Sequence, residues 1–293
     1  MSLYRSVTDF RVEDVDWILD RAARIKAGEP SAQLPPRAVV GLAFLESSLR
    51  TRTGFAAAAI RLGATPVEVL GVRESAVSMP ESVDDTLRTL AGYCDAVVAR
   101  VGEHLVLPAG VQVPLVSGGD RGLVAEHPTQ ALIDLFALTR LAVPVGDQVV
   151  ALCGDLRMRA ARSLLLLLEA YQPRRLVLVT EPGLHEGLTV PEGLATLCEE
   201  RTLGDIGDVD ALYVVGIPHG ALDEDGRTRL RVTSAHLDSL PPRARVYSPL
   251  PVIDEMERDA LHHPRVRMFE QSDDGLYVRM ATLELVLGLG APA

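Results

Sequence analysis

The strongest constraint on this chain is an alternation of apolar runs and amphipathic stretches that plays through once, stops near Pro144-Val-Gly146, and starts again. In the first set, Ala38 to Leu45 is a continuous apolar run, as in a strand buried on both faces. It leads through Ser47-Ser48 into a helical stretch reaching about Leu62, which Gly63 closes. Thr65 to Leu70 and Ala96 to Arg100 are further strands, with a helix from Glu81 to Gly92 between them. A short strand follows at Val113 to Val116, and His127 opens a helix through Arg140. Ahead of all these, Thr8 is positioned to cap a helix carrying Val12, Val15, Ile18 and Leu19 at helical spacing. In the second set, strand Gln148 to Cys153 turns at Gly154-Asp155 into a helix over Ala160 to Tyr171. Strands at Arg175 to Thr180, Ala211 to Val215 and Arg245 to Tyr247 follow, with a last helix from about Met280. Such alternation predicts an α/β protein of two doubly wound domains, each with a mainly parallel sheet flanked by helices. The predicted domains are 1–140 and 141–293, with the last helix expected to pack back on the first.

Length agrees, because 293 residues exceed what one core usually encloses. A net charge of -11 argues against nucleic-acid or membrane-surface partners, which call for a basic face. Lys26 is the only lysine, so the positive charge is almost all arginine. Cys94, Cys153 and Cys198 are too widely spaced for a metal knuckle or a redox pair and read as reduced core thiols. The N-terminus is polar from its start, and the leucine run 164–168 is far too short to span a bilayer. A cytoplasmic protein is expected.

Two segments carry chemistry. In Phe44-Leu-Glu-Ser-Ser-Leu-Arg-Thr-Arg-Thr-Gly-Phe55 a strand ends, two serines follow, and a helix begins with arginine in its first turn. Free amides at a helix start attract anions, whereas the helix dipole disfavours a cation there. An anion held between Arg50 and those amides resolves the conflict; Ser48 as an ordinary cap beside exposed arginines is the plainer alternative. In Glu126-His-Pro-Thr-Gln-Ala-Leu-Ile-Asp-Leu135 the proline suits a first helical turn and places His127 at the cap, with Gln130 just inside.

Taken together, these strings resemble the aspartate/ornithine carbamoyltransferases. The first is similar to that family's Ser-Thr-Arg-Thr phosphate loop, with Leu49 where the family has threonine. The second matches His-Pro-Thr-Gln-x-Leu-x-Asp. Further similarity lies in Glu81-Ser-Val-Asp-Asp-Thr-Leu87, in Tyr93 to Arg100, in Gly154-Asp-Leu with Arg159-Ala-Ala-Arg-Ser163, and in Ser248-Pro-Leu-Pro-Val-Ile-Asp-Glu255. The resemblance implies a carbamoyl-phosphate-binding first domain and an acceptor-binding second domain. It implies Arg50, Thr51, Arg100 and His127 as catalytic groups, with Ser48, Leu49, Ser75 and Gln130 also holding the donor. Arg159, Gly216, Pro218 and the carbonyls of Leu250 and Pro251 would meet the acceptor or the carbamoyl amide. Glu46 matches a glutamate that pairs with second-domain arginines on closure. The implied reaction needs no metal or other cofactor, its partners are carbamoyl phosphate and a small amine, and the implied assembly is a homotrimer. A dinucleotide site at Gly154 is the competing reading, but G-x-G-x-x-G spacing is absent there.

Some positions depart from the family. Met79 stands where it places an active-site lysine, with Arg73 nearby as a conceivable substitute. Gly216 and Pro218 stand where aspartate enzymes carry arginine and glutamine, and Val252 replaces a further arginine. Fewer planar guanidinium forks make a poorer dicarboxylate pocket. These changes predict an amino-acid-like acceptor that is neither aspartate nor ornithine. The alternatives are an aspartate enzyme with compensating residues, or an inactive member that serves as an assembly partner.

Overall fold

A computed structural model describes residues 3–35, 37–71, 81–121 and 124–289. Its contacts divide into two compact units: 1–132 with 274–293, and 133–273. The division falls inside two helices, α4 (Pro128–Thr139) and α8 (Met268–Val286).

The first unit is a five-stranded parallel sheet in the order β1-β5-β4-β2-β3. Its strands are β1 (Leu3–Tyr4), β2 (Val39–Phe44), β3 (Thr65–Leu70), β4 (Ala96–Arg100) and β5 (Leu115–Ser117). Successive side chains on a strand face opposite ways, and the packing follows that period of two. Val40, Leu42 and Phe44 enter a core with Phe55, Leu62, Met280 and Leu283, while Ala43, Val97 and Ala99 enter another with Leu87, Leu90 and Leu105. Helices α1 (Val12–Lys26), α2 (Leu49–Arg61) and α3 (Val83–Ala91) complete this unit with the end of α8.

Unit two repeats the plan with strand order β10-β9-β6-β7-β8. Here β6 (Val149–Cys153) is central, between β7 (Arg175–Val179) and β9 (Ala211–Val214), with β8 (Cys198–Glu200) and β10 (Arg245–Tyr247) at the edges. Every residue of β6 is buried, as expected of a strand covered on both faces. Helices α5 (Arg159–Tyr171), α6 (Glu224–Leu230) and α7 (Ser234–Ser239) lie in this unit.

In each sheet the chain leaves a central strand toward one edge and later returns on its other side. The switch falls between β2 and β4 in the first unit and between β6 and β9 in the second. Connections diverge at such a point and leave a crevice at the carboxyl ends of the strands, where ligands of open α/β sheets bind. Among the described residues, no helix is long and apolar enough to cross a membrane.

Two expectations change in detail. Thr8 does not cap the first helix: it sits in a single turn, Val7–Asp9, capped by Ser6. The helix starts after Arg11, whose amide and guanidinium both donate to Asp14. The last helix begins at Met268 rather than near Met280.

Candidate functional site

The first crevice is assembled by three connections. After β2, residues 45–48 lead into α2, where Ser48 occupies the cap position with extended backbone. Its hydroxyl makes no bond to its own helix and instead accepts from Arg100 Nη1 at 3.3 Å. Arg100 ends β4, in register with Phe44 at the end of β2, so sheet pairing alone brings it to the loop. Turning the cap hydroxyl away leaves the opening turn of α2 without its usual side-chain acceptor, an arrangement suited to an incoming anion. Burial strips water from the Arg50 guanidinium and pulls its pKa down. An anion beside it would offset both that loss and the unfavourable dipole.

The third connection runs from β5 to α4. His127 is buried and caps α4 through its carbonyl, which accepts from the amides of Gln130 and Ala131 at 3.0 and 3.1 Å. Its Nε2 shares a hydrogen bond with the Thr51 hydroxyl at 3.3 Å, joining the His-Pro-Thr-Gln segment to the anion-site segment. Gly119 makes room for this ring: at φ +100° it tolerates a backbone few other residues adopt, and a Cβ there would lie 2.9 Å from the imidazole. Asp120 secures the loop from a buried position, accepting from the amides of Leu105 and Glu126 at 3.3 and 2.7 Å.

Beside the loop lies a cavity of about 390 Å³, lined by Phe44, Ser47, Ser48, Leu49, Arg52 and Gly71 among others. Leu49 is 70% exposed, a large apolar side chain at the mouth of an otherwise polar helix start. Glu46, at the same cavity, is held by Arg121 Nε at 2.7 Å, so the structure gives it a partner within its own unit. Ser75, Arg73 and Met79 lie outside the described residues.

In the second unit, Gly154 follows β6 at φ +125°, and a Cβ there would fall 2.2 Å from the Val215 carbonyl oxygen. That close approach draws the ends of β6 and β9 together, with Arg159 opening α5 on one side and Gly216 and Pro218 following β9 on the other. The loop after β10 contains Leu250, in the left-handed region at φ 55°, and the cis Leu250–Pro251 bond. Leucine rarely adopts that φ, and such positions concentrate at ligand sites. Ser248 Oγ accepts from the Leu250 amide at 3.1 Å, and the Ser248 amide donates to Gln271 at 3.0 Å. Gln271 and Tyr213 both donate to the buried Asp134 at 2.5 Å. Burial first, and Asp134 second, push the Tyr213 phenol well above its usual range. Glu255 is buried and joins the two loops, accepting from the amides of Ile217 at 2.9 Å and Ile253 at 2.7 Å.

The structure thus links Ser48, Thr51, Arg100 and His127 by hydrogen bonds across three segments of one unit. Leu49 and Arg50 share a helical turn with Thr51, and Gln130 lies just inside α4. Arg159, Gly216, Pro218, Leu250 and Pro251 cluster by connection at the strand ends of the other unit. Two residues escape the sequence reading. Arg121 follows Asp120 in a short stretch between glycines that carries no motif, and Arg227 sits among Arg229 and Arg231 in what reads as an exposed, charged stretch. Neither carries a signal short of the fold itself.

Residues 4–140 match the family described as aspartate/ornithine carbamoyltransferase, carbamoyl-P binding domain. The chain is 34% identical to the aspartate carbamoyltransferase catalytic subunit of Methanoculleus marisnigri, covering 96% of this chain and 98% of the relative. It is 32% identical to that of Thermofilum pendens, over 96% and 94%. Among solved structures, the catalytic subunit of M. jannaschii aspartate transcarbamoylase superimposes with a TM-score of 0.83 at 27% identity, over 98% of both chains. Aspartate transcarbamoylase from Trypanosoma cruzi in complex with carbamoyl phosphate gives 0.81 at 27% identity, over 96% of this chain and 94% of that one.

Proposed function

The chain belongs to the aspartate/ornithine carbamoyltransferase family, and from that premise we propose that it moves the carbamoyl group of carbamoyl phosphate to the amine of aspartate. The observation that carries the donor half is the junction of Ser48 with Arg100 and of Thr51 with His127 at one helix start. The aspartate half rests on the relatives: full-length similarity to aspartate enzymes favours this acceptor over the non-standard amine expected from Gly216, Pro218 and Val252.

In this reading the amides opening α2, with Arg50 and Arg100, hold the phosphate. Thr51, Arg100 and His127 polarise the carbonyl and Gln130 holds the carbamoyl amide, a group that the family resemblance also assigns to the carbonyls of Leu250 and Pro251. A neutral amine attacks the carbonyl carbon. The new C–N bond forms as the C–O bond to phosphate breaks, and the departing phosphate takes the amine proton. Donors aimed at the developing oxyanion lower the barrier because they are already oriented in a partly dry site. Arg159 receives the acceptor carboxylate. A homotrimer and a cytoplasmic location belong to the same reading.

A second reading keeps the donor chemistry and changes the acceptor. It is favoured by Gly216 and Pro218, which offer no side-chain hydrogen-bond donor at the end of β9, and by the apolar Val252. Phosphate release from carbamoyl phosphate, measured with aspartate and with a panel of other amines, decides between them. Release with aspartate supports the first. Release only with a different amine moves the conclusion to the second, and silence with every amine overturns both.

A further inference from the structure

One guanidinium in the second unit does more than its surroundings require of a surface arginine. Arg227, on α6, donates through Nε and Nη2 to both oxygens of Asp254, at 2.9 and 2.6 Å. Its Nη1 donates to the carbonyls of Ile217 and Pro218, each at 3.2 Å, and Nη2 also reaches Ile217 at 3.3 Å. Only 10% of the side chain is exposed. Ile217 is therefore gripped from two sides: its carbonyl by Arg227 and its amide by Glu255. Asp254 is fastened again through its carbonyl, which accepts from Arg231 Nε at 3.0 Å.

From this geometry we propose that Arg227 is a positioning residue for the acceptor, tying the loop after β9, which carries Gly216 and Pro218, to the loop after β10, which carries Leu250 and Pro251. The inference rests on the reading that these two loops meet the acceptor. The tie uses the planar fork of arginine: two nitrogens face one carboxylate edge while the third faces two carbonyls. A lysine ammonium supplies charge without that geometry. Removing the fork leaves two carbonyls and a carboxylate in a half-buried place without their donor, and the loops drift apart to find water. Loops that must converge on a small substrate are sensitive to displacements of about 1 Å.

The test uses R227Q, R227K and D254N in the full chain. Hydrogen exchange is followed at the amides of Gly216 and Ile217 and at those of Leu250 and residues 252–255, alongside steady-state kinetics with aspartate and carbamoyl phosphate. In R227Q, exchange in both loops accelerates together, and the KM for aspartate rises at least roughly tenfold. The KM for carbamoyl phosphate rises less, because Arg50, Thr51, Arg100 and His127 lie in the other unit and only its carbamoyl amide is assigned to the carbonyls of Leu250 and Pro251. R227K fails to restore either value, and adding D254N to R227Q changes little more. Exchange that is unaltered in either loop overturns the proposal. So does loosening of both loops with an unchanged aspartate KM, because the tie would then be structural only. If the wild type turns over a different amine, that amine replaces aspartate in the kinetic arm. If it turns over none, the functional reading falls, while the exchange arm still decides whether the tie exists.

Discussion

Single residues set the donor site through close approaches that leave no alternative side chain. His127 touches Thr51 only because Gly119 keeps the space behind the imidazole open. Gly119→Ala should therefore act like an active-site substitution although alanine itself reaches no substrate. The methyl group drives the ring away from Thr51, and positive φ adds strain. Roughly a hundredfold loss of kcat is expected, comparable to removing one oxyanion donor by His127→Ala. Kinetics of both variants, with a thermal melt to show that they fold, check this; an alanine variant with wild-type turnover sinks the argument. The same residues show what a sequence can disclose. Ser48, Leu49, Arg50 and Thr51 are contiguous, and His127 and Gln130 stand three apart in one short string, so local order makes both legible. Arg100 is legible because a strand end fixes its place. Arg121 and Arg227 are not, because each acts on residues in another loop, and that meeting depends on how the connections fold.

At the scale of elements, the central strands were readable because both faces are covered and the apolar run is unbroken, as in Val149–Cys153. Edges were less so. β1 has only two residues and β8 is Cys-Glu-Glu, too short and too polar to stand out, yet pairing with β5 and β7 recruits them. The start of α8 was hidden by Asp273-Asp274-Gly275, which resembles a break. In the fold Asp274 meets Lys26 at 2.6 Å and Gln271 meets Asp134, so tertiary partners override local preference. Helix α7 shows an element tied to pH. Its cap Thr233 accepts from the His236 amide at 3.3 Å, and His236 Nδ1 accepts from the Thr233 amide at 3.2 Å. Burial pulls the His236 pKa below its ordinary value, against a smaller opposing pull from Glu257. A histidine depressed in the folded state leaves the unfolded chain to bind the proton first. Its contribution is thus fully present above about pH 6.5 and is lost as pH falls below that value. His236→Gln keeps a capping acceptor without a titrating proton. The difference between urea midpoints of wild type and H236Q should shift between pH 8 and 5, in the direction of relative loss by wild type; a constant difference would discount the cap.

For the molecule as a whole, the first unit is discontinuous in sequence, and its closure depends on contacts between the two ends of the chain. Arg21 on α1 and Glu284 on α8 make the clearest of these, with Nε 2.6 Å from Oε2 and Nη2 3.3 Å from Oε1. Both side chains are nearly inaccessible, at 9% and 1%. Glu284 also accepts from the Ala32 amide at 2.8 Å, and Arg21 donates to the Pro30 carbonyl at 2.9 Å, so one pair holds α1, α8 and the segment leading to β2. That segment leads into β2, which is paired on both sides with β3 and β4 and delivers Ser48 and Arg50 to the donor site, so the pair anchors the strand's approach. A buried pair is costly to break because the remaining charge stays desolvated: Glu284→Ala should destabilise this unit by about 3–5 kcal/mol. Replacing both partners, Arg21→Met with Glu284→Leu, should recover most of that loss, because no buried charge is stranded. Calorimetry reads the outcome directly. E284A lowers the transition of the first unit and leaves that of the second in place, and carbamoyl phosphate at a hundred times its Kd raises the lowered transition by the equivalent of about 2.7 kcal/mol. If both transitions fell together, or if the ligand raised the other one, the donor site would not belong to the unit that this ion pair closes.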